Sequence, residues 1–339
     1  MKAKKFKPVT NYTAIVWTHI SDVIDKATWT KLTEQFWLDT WVPVEKDKAD
    51  WQALDDDHRW MISHVFGGLS LLDTIQSEQG MAALRQDCRN RQEQAVLNNI
   101  QFMETIHAKS YSTIFQALNT KEEIKKIFKW TDSEEYLQKK AVDIANIYMD
   151  PAEDPLHKKI ANVFLETFLF YTGFYTPLRY LGEGKLTNIG EMTKMIVRDE
   201  SVHGTYIGYK FQLGLKDLTE EQSQDMKDWM YNLLYDLYDE EEKYTHLLYD
   251  QIGWTDSVLT FIRYNANKAL MNLGQDPLFP DTADDVNSTV MNGLNVSTPA
   301  NDAVTYQGHA HNVDEFQGVP LTTNDVTTND DDSSTDQEK

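Results

Sequence analysis

Two short segments of the 339-residue chain could do chemistry: Glu104-Thr-Ile-His107 and Glu200-Ser-Val-His203. Each sets a carboxylate and an imidazole three residues apart, inside a stretch that reads as long helix. On an α-helix, residues i and i+3 lie about 60° apart round the axis, so both groups point the same way. Two such helices facing each other, with one further carboxylate from each of two others, form the ligand set of a dinuclear site in a four-helix bundle.

Chance alone would place an acid three residues before one or two of the chain's 9 histidines, given its 54 acidic residues. Four such pairs occur: Asp55/His58, Asp154/His157, Glu104/His107 and Glu200/His203. The first lies in the charged run Leu54-Asp-Asp-Asp-His-Arg59, which reads as a solvated helix start. The second follows Asp150-Pro151 and contains Pro155, so it reads as a turn leading into a helix cap. Only the other two have apolar neighbours, in Ile100-Gln-Phe-Met103 and Met195-Ile-Val197. A buried carboxylate is costly unless paired or bound to metal. Spacing by itself leaves metal binding and a satisfied core His–Glu pair both open.

The wider arrangement favours metal. Asp73 ends the apolar run Gly68-Leu-Ser-Leu-Leu-Asp73 upstream of Glu104, and Glu166 sits in Val163-Phe-Leu-Glu-Thr-Phe-Leu-Phe-Tyr171 upstream of Glu200. A surface acid is the competing account of Asp73; Glu166 has apolar and aromatic residues on both sides. Each half thus repeats one order, a lone carboxylate and then Glu-x-x-His, as two helical hairpins related by approximate two-fold symmetry would. The charges of Asp73, Glu104, Glu166 and Glu200 would be cancelled by two divalent cations, with His107 and His203 as neutral donors. Oxygen and imidazole donors suit iron or manganese.

The elements that must hold these groups are helices. The pattern predicts helices over Ala27–Leu38, Asp50–Gln86, Arg91–Leu118, Lys121–Phe128, Ser133–Tyr148, Pro155–Leu181, Asn188–Leu213, Glu220–Gln251 and Asp256–Leu273, with little strand-like alternation. A hydrophobic fraction of 41% with 12% aromatics can build a large core. The expected fold class is therefore all-α. A single cysteine, Cys88, excludes a disulfide framework and points to a reducing, cytoplasmic setting. The basic start Met1-Lys-Ala-Lys-Lys-Phe-Lys7 is followed by no apolar signal-peptide core. Ile160–Leu178 approaches membrane-spanning length but contains Glu166 and three threonines, so a buried bundle helix is expected and no membrane partner. A net charge of −22 argues against nucleic acid as a partner. After about Pro280 the chain turns to Asn, Thr, Asp and Ser. A helical domain over 1–285 and a flexible, disordered acidic tail over 286–339 are expected.

Around the paired motifs, Tyr111 lies one turn beyond His107. Phe170 and Phe174 lie one and two turns beyond Glu166, and Ile196 one turn before Glu200. Core packing explains the two Phe and the Ile. With Tyr111 they also describe a phenol beside a metal pair in an apolar cage, the setting a tyrosyl radical needs.

Three segments carry a family resemblance: Phe102-Met-Glu-Thr-Ile-His-Ala-Lys-Ser-Tyr111, Phe164-Leu-Glu-Thr-Phe-Leu-Phe-Tyr-Thr-Gly-Phe174 and Arg198-Asp-Glu-Ser-Val-His-Gly-Thr-Tyr-Ile-Gly208. From about Thr33 to Pro280 the chain resembles the small, radical-bearing β subunit of class Ib ribonucleotide reductase. The resemblance implies a ferritin-like bundle in which Asp73, Glu104, His107, Glu166, Glu200 and His203 bind a dinuclear manganese or iron centre. It makes Tyr111 the radical site. It also assigns Trp37, in Gln35-Phe-Trp-Leu38, and Asp199 to a path from the metals to the surface. Asp199 could bridge His107 to the Trp37 indole, since a ligand His usually gives its second N–H to a carboxylate. Without the resemblance, Trp37 reads as a core aromatic.

The implied activity is radical generation and export to a large α subunit that reduces ribonucleoside diphosphates. The implied partners are a second copy of the chain, forming a homodimer, that α subunit, and a flavodoxin-like activase. This chain has no active-site dithiol and no evident phosphate-binding glycine loop, so it cannot do the nucleotide chemistry alone. The tail departs from the family pattern by ending on Lys339 without a terminal aromatic. Tyr306, the only tyrosine after Tyr264, is the relay candidate, and Phe316 a possible docking anchor. Competing classes are a ligand-binding oxidase, an iron-storage or peroxide-detoxifying protein, and a metal-free helical scaffold.

Overall fold

Side chains that cap helices set most of the boundaries. The structure, a computed structural model, describes residues 11–295; Tyr306, Phe316 and the acidic tail lie outside the described residues. α1 (Val23–Glu34) starts where Asp22 Oδ1 accepts the Ile24 N–H at 3.0 Å. That start precedes the one expected, and the helix stops before Gln35. Gln35-Phe-Trp-Leu38 is therefore a non-helical segment, and Trp37 is not on a helix. The long helix expected over Asp50–Gln86 is interrupted, because the Asp55 side chain takes the His58 N–H and starts a new helix. The result is α2 (Lys48–Ala53), α3 (Asp56–Ile75), a π-helical turn (Gln76–Gly80) and α4 (Met81–Leu84).

α5 (Arg91–Leu118), capped by Asn90, has the expected span. α6 (Lys121–Thr131) opens on a capping box in which Thr120 and Glu123 satisfy each other's backbone N–H groups. α7 (Glu135–Met149) follows, then α8 (Pro155–Phe164), where Asp154 caps and Pro155 takes the first helical position. A second π-helical turn (Leu165–Leu169) joins α8 to α9 (Tyr171–Gly182). α10 (Thr187–Leu215) has no cap of its own, since Leu186 before it is left-handed, with φ 46°. Asp47 substitutes from a distant segment, its Oδ2 accepting the Ile189 N–H at 2.7 Å. α11 (Glu220–Tyr249), α12 (Thr255–Asn272) and α13 (Ser288–Asn295) complete the described chain.

α13 extends the packed body past the boundary expected at 285. Its Val290 is fully buried, and a Cβ on Gly293 would stand 2.1 Å from the Leu178 carbonyl oxygen of α9. Small side chains there let a polar-looking segment lie directly on a core helix.

Four helical stretches form the centre: α3 against α5, and α8–α9 against α10, with α5 also meeting α10. The α8–α9 stretch is buried almost throughout, with Phe164, Phe168, Phe170, Phe174 and Tyr175 inaccessible to solvent. Among the described residues there is no strand, and no helix is long and apolar enough to cross a membrane. Away from the centre, α7 and α11 are tied by a fully buried ion pair. Lys140 Nζ lies 2.5 Å from Glu241 Oε2 and 3.8 Å from the centre of the Tyr244 ring.

Candidate metal centre

Each central stretch delivers one part of the cluster. α3 supplies Asp73 in its last turn, and the π turn begins three residues later, at Gln76. The second π turn carries Glu166 itself, its wider coil closed by the Phe170 N–H to the Leu165 carbonyl at 3.3 Å. Such turns rotate the side chains that follow them and recur at functional sites. α5 brings Glu104 and His107, and α10 brings Glu200 and His203, each pair on one helix face.

The six side chains converge and are completely buried. They form two groups of four donors: Asp73, Glu104, His107 and Glu200, and then Glu104, Glu166, Glu200 and His203. Within each group the ligating atoms lie within 4.8 Å of one another. Glu104 and Glu200 belong to both groups. His107 Nδ1 is 2.9 Å from Glu200 Oε1, and His203 Nδ1 is 2.7 Å from Glu104 Oε1.

Acceptors outnumber donors here, with four carboxylates facing two imidazoles. Both oxygens of Asp73 and of Glu104, Glu166 Oε2, Glu200 Oε1 and His107 Nδ1 have no hydrogen-bond partner although buried. Buried polar groups are seldom left so. A donor set of carboxylates and imidazoles, without thiolate, fits two hard or borderline divalent cations.

In the protein alone, protons supply the missing positive charge. Burial pushes Asp73 well above the usual carboxylate range, and the Glu104 charge adds to it. Burial does the same to Glu200, again helped by Glu104. Burial also opposes ionisation of Glu104, but His203 and His107 prevail and hold it at about 2. Burial disfavours charge on His107, yet the adjoining carboxylates of Asp199 and Glu104 lift it to about 10. His203 is raised for the same kind of reason, chiefly by Glu104.

Tyr111, also inaccessible, stacks on Phe66 with ring centroids 5.7 Å apart. Burial, then the charges of Asp73 and Glu200, hold its phenol protonated, and its hydroxyl has no hydrogen-bond partner of good geometry. Phe170, Phe174 and Ile196 are equally buried.

Asp199 faces away from the cluster. Its Oδ2 accepts from Trp37 Nε1 at 2.7 Å and lies 3.1 Å from His107 Nε2, while Oδ1 accepts from Gln35 Nε2 at 2.7 Å. The Trp37 and His107 rings stack at 5.8 Å. Asp199 thus joins the imidazole to the indole, as its position next to Glu200 allows.

Three residues of the site went unread in the sequence. Gln35, the C-cap of α1, stands two positions before Trp37, and both side chains meet Asp199. Gln76 stands three residues after Asp73 and donates from Nε2 to Glu166 Oε1. Phe66 lies seven before Asp73, on the same helix face. Spacing from a known site residue is the signal that would have found each.

Comparison with known proteins agrees with this geometry. The family described as "Ribonucleotide reductase, small chain" matches residues 14–288. The chain is 44% identical to the ribonucleoside-diphosphate reductase subunit beta of Mycobacterium leprae over 301 residues, covering 89% of this chain and 92% of that one. It is also 44% identical to the ribonucleoside-diphosphate reductase 2 subunit beta of Escherichia coli over 288 residues, covering 85% and 90%. The X-ray crystal structure of Streptococcus sanguinis dimanganese(II)-NrdF superposes with a TM-score of 0.82 at 63% identity, covering 84% of this chain and all of that one. With the family matched over most of its length and a class Ib relative at that identity, this chain belongs to the ribonucleotide reductase small-chain family, as a class Ib ribonucleoside-diphosphate reductase β subunit.

Proposed function

We propose that Asp73, Glu104, His107, Glu166, Glu200 and His203 hold a dinuclear manganese or iron centre, and that Tyr111 carries a radical exported to a large α subunit. The carrying observation is the pair of four-donor groups sharing Glu104 and Glu200. The metal named for the Streptococcus sanguinis relative supports manganese. A redox-active metal pair, when bound, supplies the oxidising equivalent.

The chain's own residues do the rest. Asp73 and His107 occupy one donor group, His203 and Glu166 the other, and the two shared glutamates tie them together. Tyr111 would give up an electron to the bound centre and its Oη proton to the Asp73 carboxylate that faces it, and its fully buried setting with Phe66 keeps reductants and water from the phenoxyl oxygen. For export, Trp37 is oxidised and its Nε1 proton moves along the hydrogen bond to Asp199 Oδ2. Asp199 also fixes the His107 tautomer, since Nε2–H donated to the carboxylate leaves Nδ1 as the ligating atom. Beyond Trp37 the equivalent passes through Tyr306 to a cysteine of the α subunit. The working assembly is a homodimer with that subunit, served by a flavodoxin-like activase.

Electron paramagnetic resonance tests this reading. Metal-loaded, activated protein should show a tyrosyl signal that Tyr111→Phe abolishes at unchanged metal content. A signal surviving that substitution would overturn the assignment of Tyr111.

A further inference from the structure

A hydrogen-bonded chain runs from Glu166 away from Tyr111. Gln76 Nε2 donates to Glu166 Oε1, Tyr148 Oη donates to Gln76 Oε1 at 3.0 Å, and Asn162 Nδ2 donates to Tyr148 Oη at 3.4 Å. All four residues are buried. Both ends fit one order of donors. An ionised Glu166 can only accept, and the Tyr148 phenol, accepting from Asn162, has its proton free for Gln76 Oε1. The Gln76 amide therefore turns its NH2 to Glu166.

The backbone makes room for this chain. Gln76 opens the π turn that closes at Gly80, and a Cβ on Gly80 would stand 2.3 Å from Gln76 Oε1 and 3.1 Å from Tyr148 Cε2. No residue but glycine leaves the amide and the phenol where they meet. The other Glu166 oxygen, Oε2, has no hydrogen-bond partner and lies 3.6 Å from His203 Nδ1, among the donors of the second group.

We propose that Gln76, its amide direction set by Tyr148, is a positioning residue that withholds Oε1 of Glu166 so that this carboxylate presents one oxygen to the second metal position. That position then keeps a place for a small exogenous ligand. Asp73 has no amide partner of this kind; the group that faces it is the Tyr111 phenol. The two ends of the site are therefore unlike, with an amide on Glu166 and a phenol beside Asp73. This inference rests on Glu166 being a metal ligand, as proposed above.

Full-length protein, stripped and reloaded with manganese(II), separates the possibilities. Wild type should bind two manganese ions per chain; failure to do so would count against the metal assignment itself. Gln76→Leu should still bind two, with an altered spectrum of the coupled manganese pair and, in the crystal, both Glu166 oxygens on the second ion. Tyr148→Phe removes only the hydroxyl. It should shift the same spectrum in the same direction while still binding two manganese ions per chain. If wild type binds two ions and the variants keep its spectrum and its one-oxygen Glu166, the positioning role is wrong.

Discussion

Replacing Asp199 by asparagine should separate making a radical from exporting it. The carboxylate accepts from Trp37 and Gln35 at 2.7 Å each and meets His107 Nε2 at 3.1 Å. An asparagine can put its Oδ1 where Oδ2 now stands, so the indole and the imidazole keep an acceptor. Its amide then faces Gln35, which can turn over because its Oε1 has no partner. Geometry survives, and what is lost is charge assistance, including the ion pair of Oδ1 with Arg198 at 3.5 Å. Hydrogen bonds to a charged group contribute about 1.5–3 kcal/mol against about 0.5–1.5 for neutral ones. Across the three bonds the metal-free protein should lose no more than about 3 kcal/mol, since burying a neutral amide is also easier than burying a carboxylate. Asp199→Ala strands three buried donors instead, at about 1–3 kcal/mol each, and should destabilise clearly more.

The alkaline limb of stability should change too. The His107 proton, held in the fold to about 10 against an ordinary 6.5, contributes fully below 6.5 and is lost as pH rises through 10; Asp199→Asn should shrink that fall. The Tyr111 signal should still form after metal loading. Turnover with the α subunit should drop by about 10² or more, because an amide cannot take the indole proton. Chemical denaturation, electron paramagnetic resonance and a reductase assay read the three effects. Wild-type turnover in Asp199→Asn would refute the export role.

Other perturbations test separate parts. Lys140→Met leaves Glu241 buried and unpaired, which should cost about 3–5 kcal/mol, while Lys140→Met with Glu241→Leu should return to near or above wild-type stability; a harmless single substitution in urea denaturation would contradict the pair's assigned role. Manganese affinity should fall as pH drops from 7 to 5, because Asp73, Glu200, His107 and His203 must shed protons to ligate. Calorimetry in two buffers of different ionisation enthalpy should register that release at neutral pH, and none would argue against proton displacement. Tyr306→Phe should leave the Tyr111 signal intact and abolish turnover with the α subunit; retained turnover would remove Tyr306 from the relay.

What could be read in advance was whatever depends on local periodicity. α5 was legible from end to end because its cap, its apolar stripe and its Glu-x-x-His pair all obey one 3.6-residue repeat. The π turns were not, since a single extra residue per turn leaves no mark on hydrophobic spacing, yet one carries Glu166 and the other begins at Gln76. Trp37 was placed on a helix that in fact stops before Gln35, because nothing local shows that the indole is held by Asp199, 162 residues away. α13 looked like tail because its polar residues face solvent while Val290 and Gly293 do the packing. Convergence of the two four-donor groups needed three dimensions; their membership did not.

The two halves repeat one order of candidate ligands, and their differences mark where the proposed roles sit. Each half offers a lone carboxylate and a Glu-x-x-His pair, but the flanking positions differ. One turn past His107 is Tyr111, whereas one turn past His203 is Ile207. Immediately before Glu200 is Asp199, whereas before Glu104 is Met103. Ile207 and Met103 are both buried, so neither difference reflects exposure. These substitutions fall on opposite halves, yet both meet at His107, which has Tyr111 on its own helix and Asp199 on its Nε2. His203 has neither a phenol one turn on nor a partner on Nε2. The proposed radical site and the proposed exit therefore adjoin one of the two donor groups, while the other is marked by Gln76 and its hold on Glu166. A symmetric pair of hairpins suffices to bind two cations. Giving the two positions different duties takes these few asymmetric residues, which is why the variants of Asp199 and Gln76 should fail in different steps.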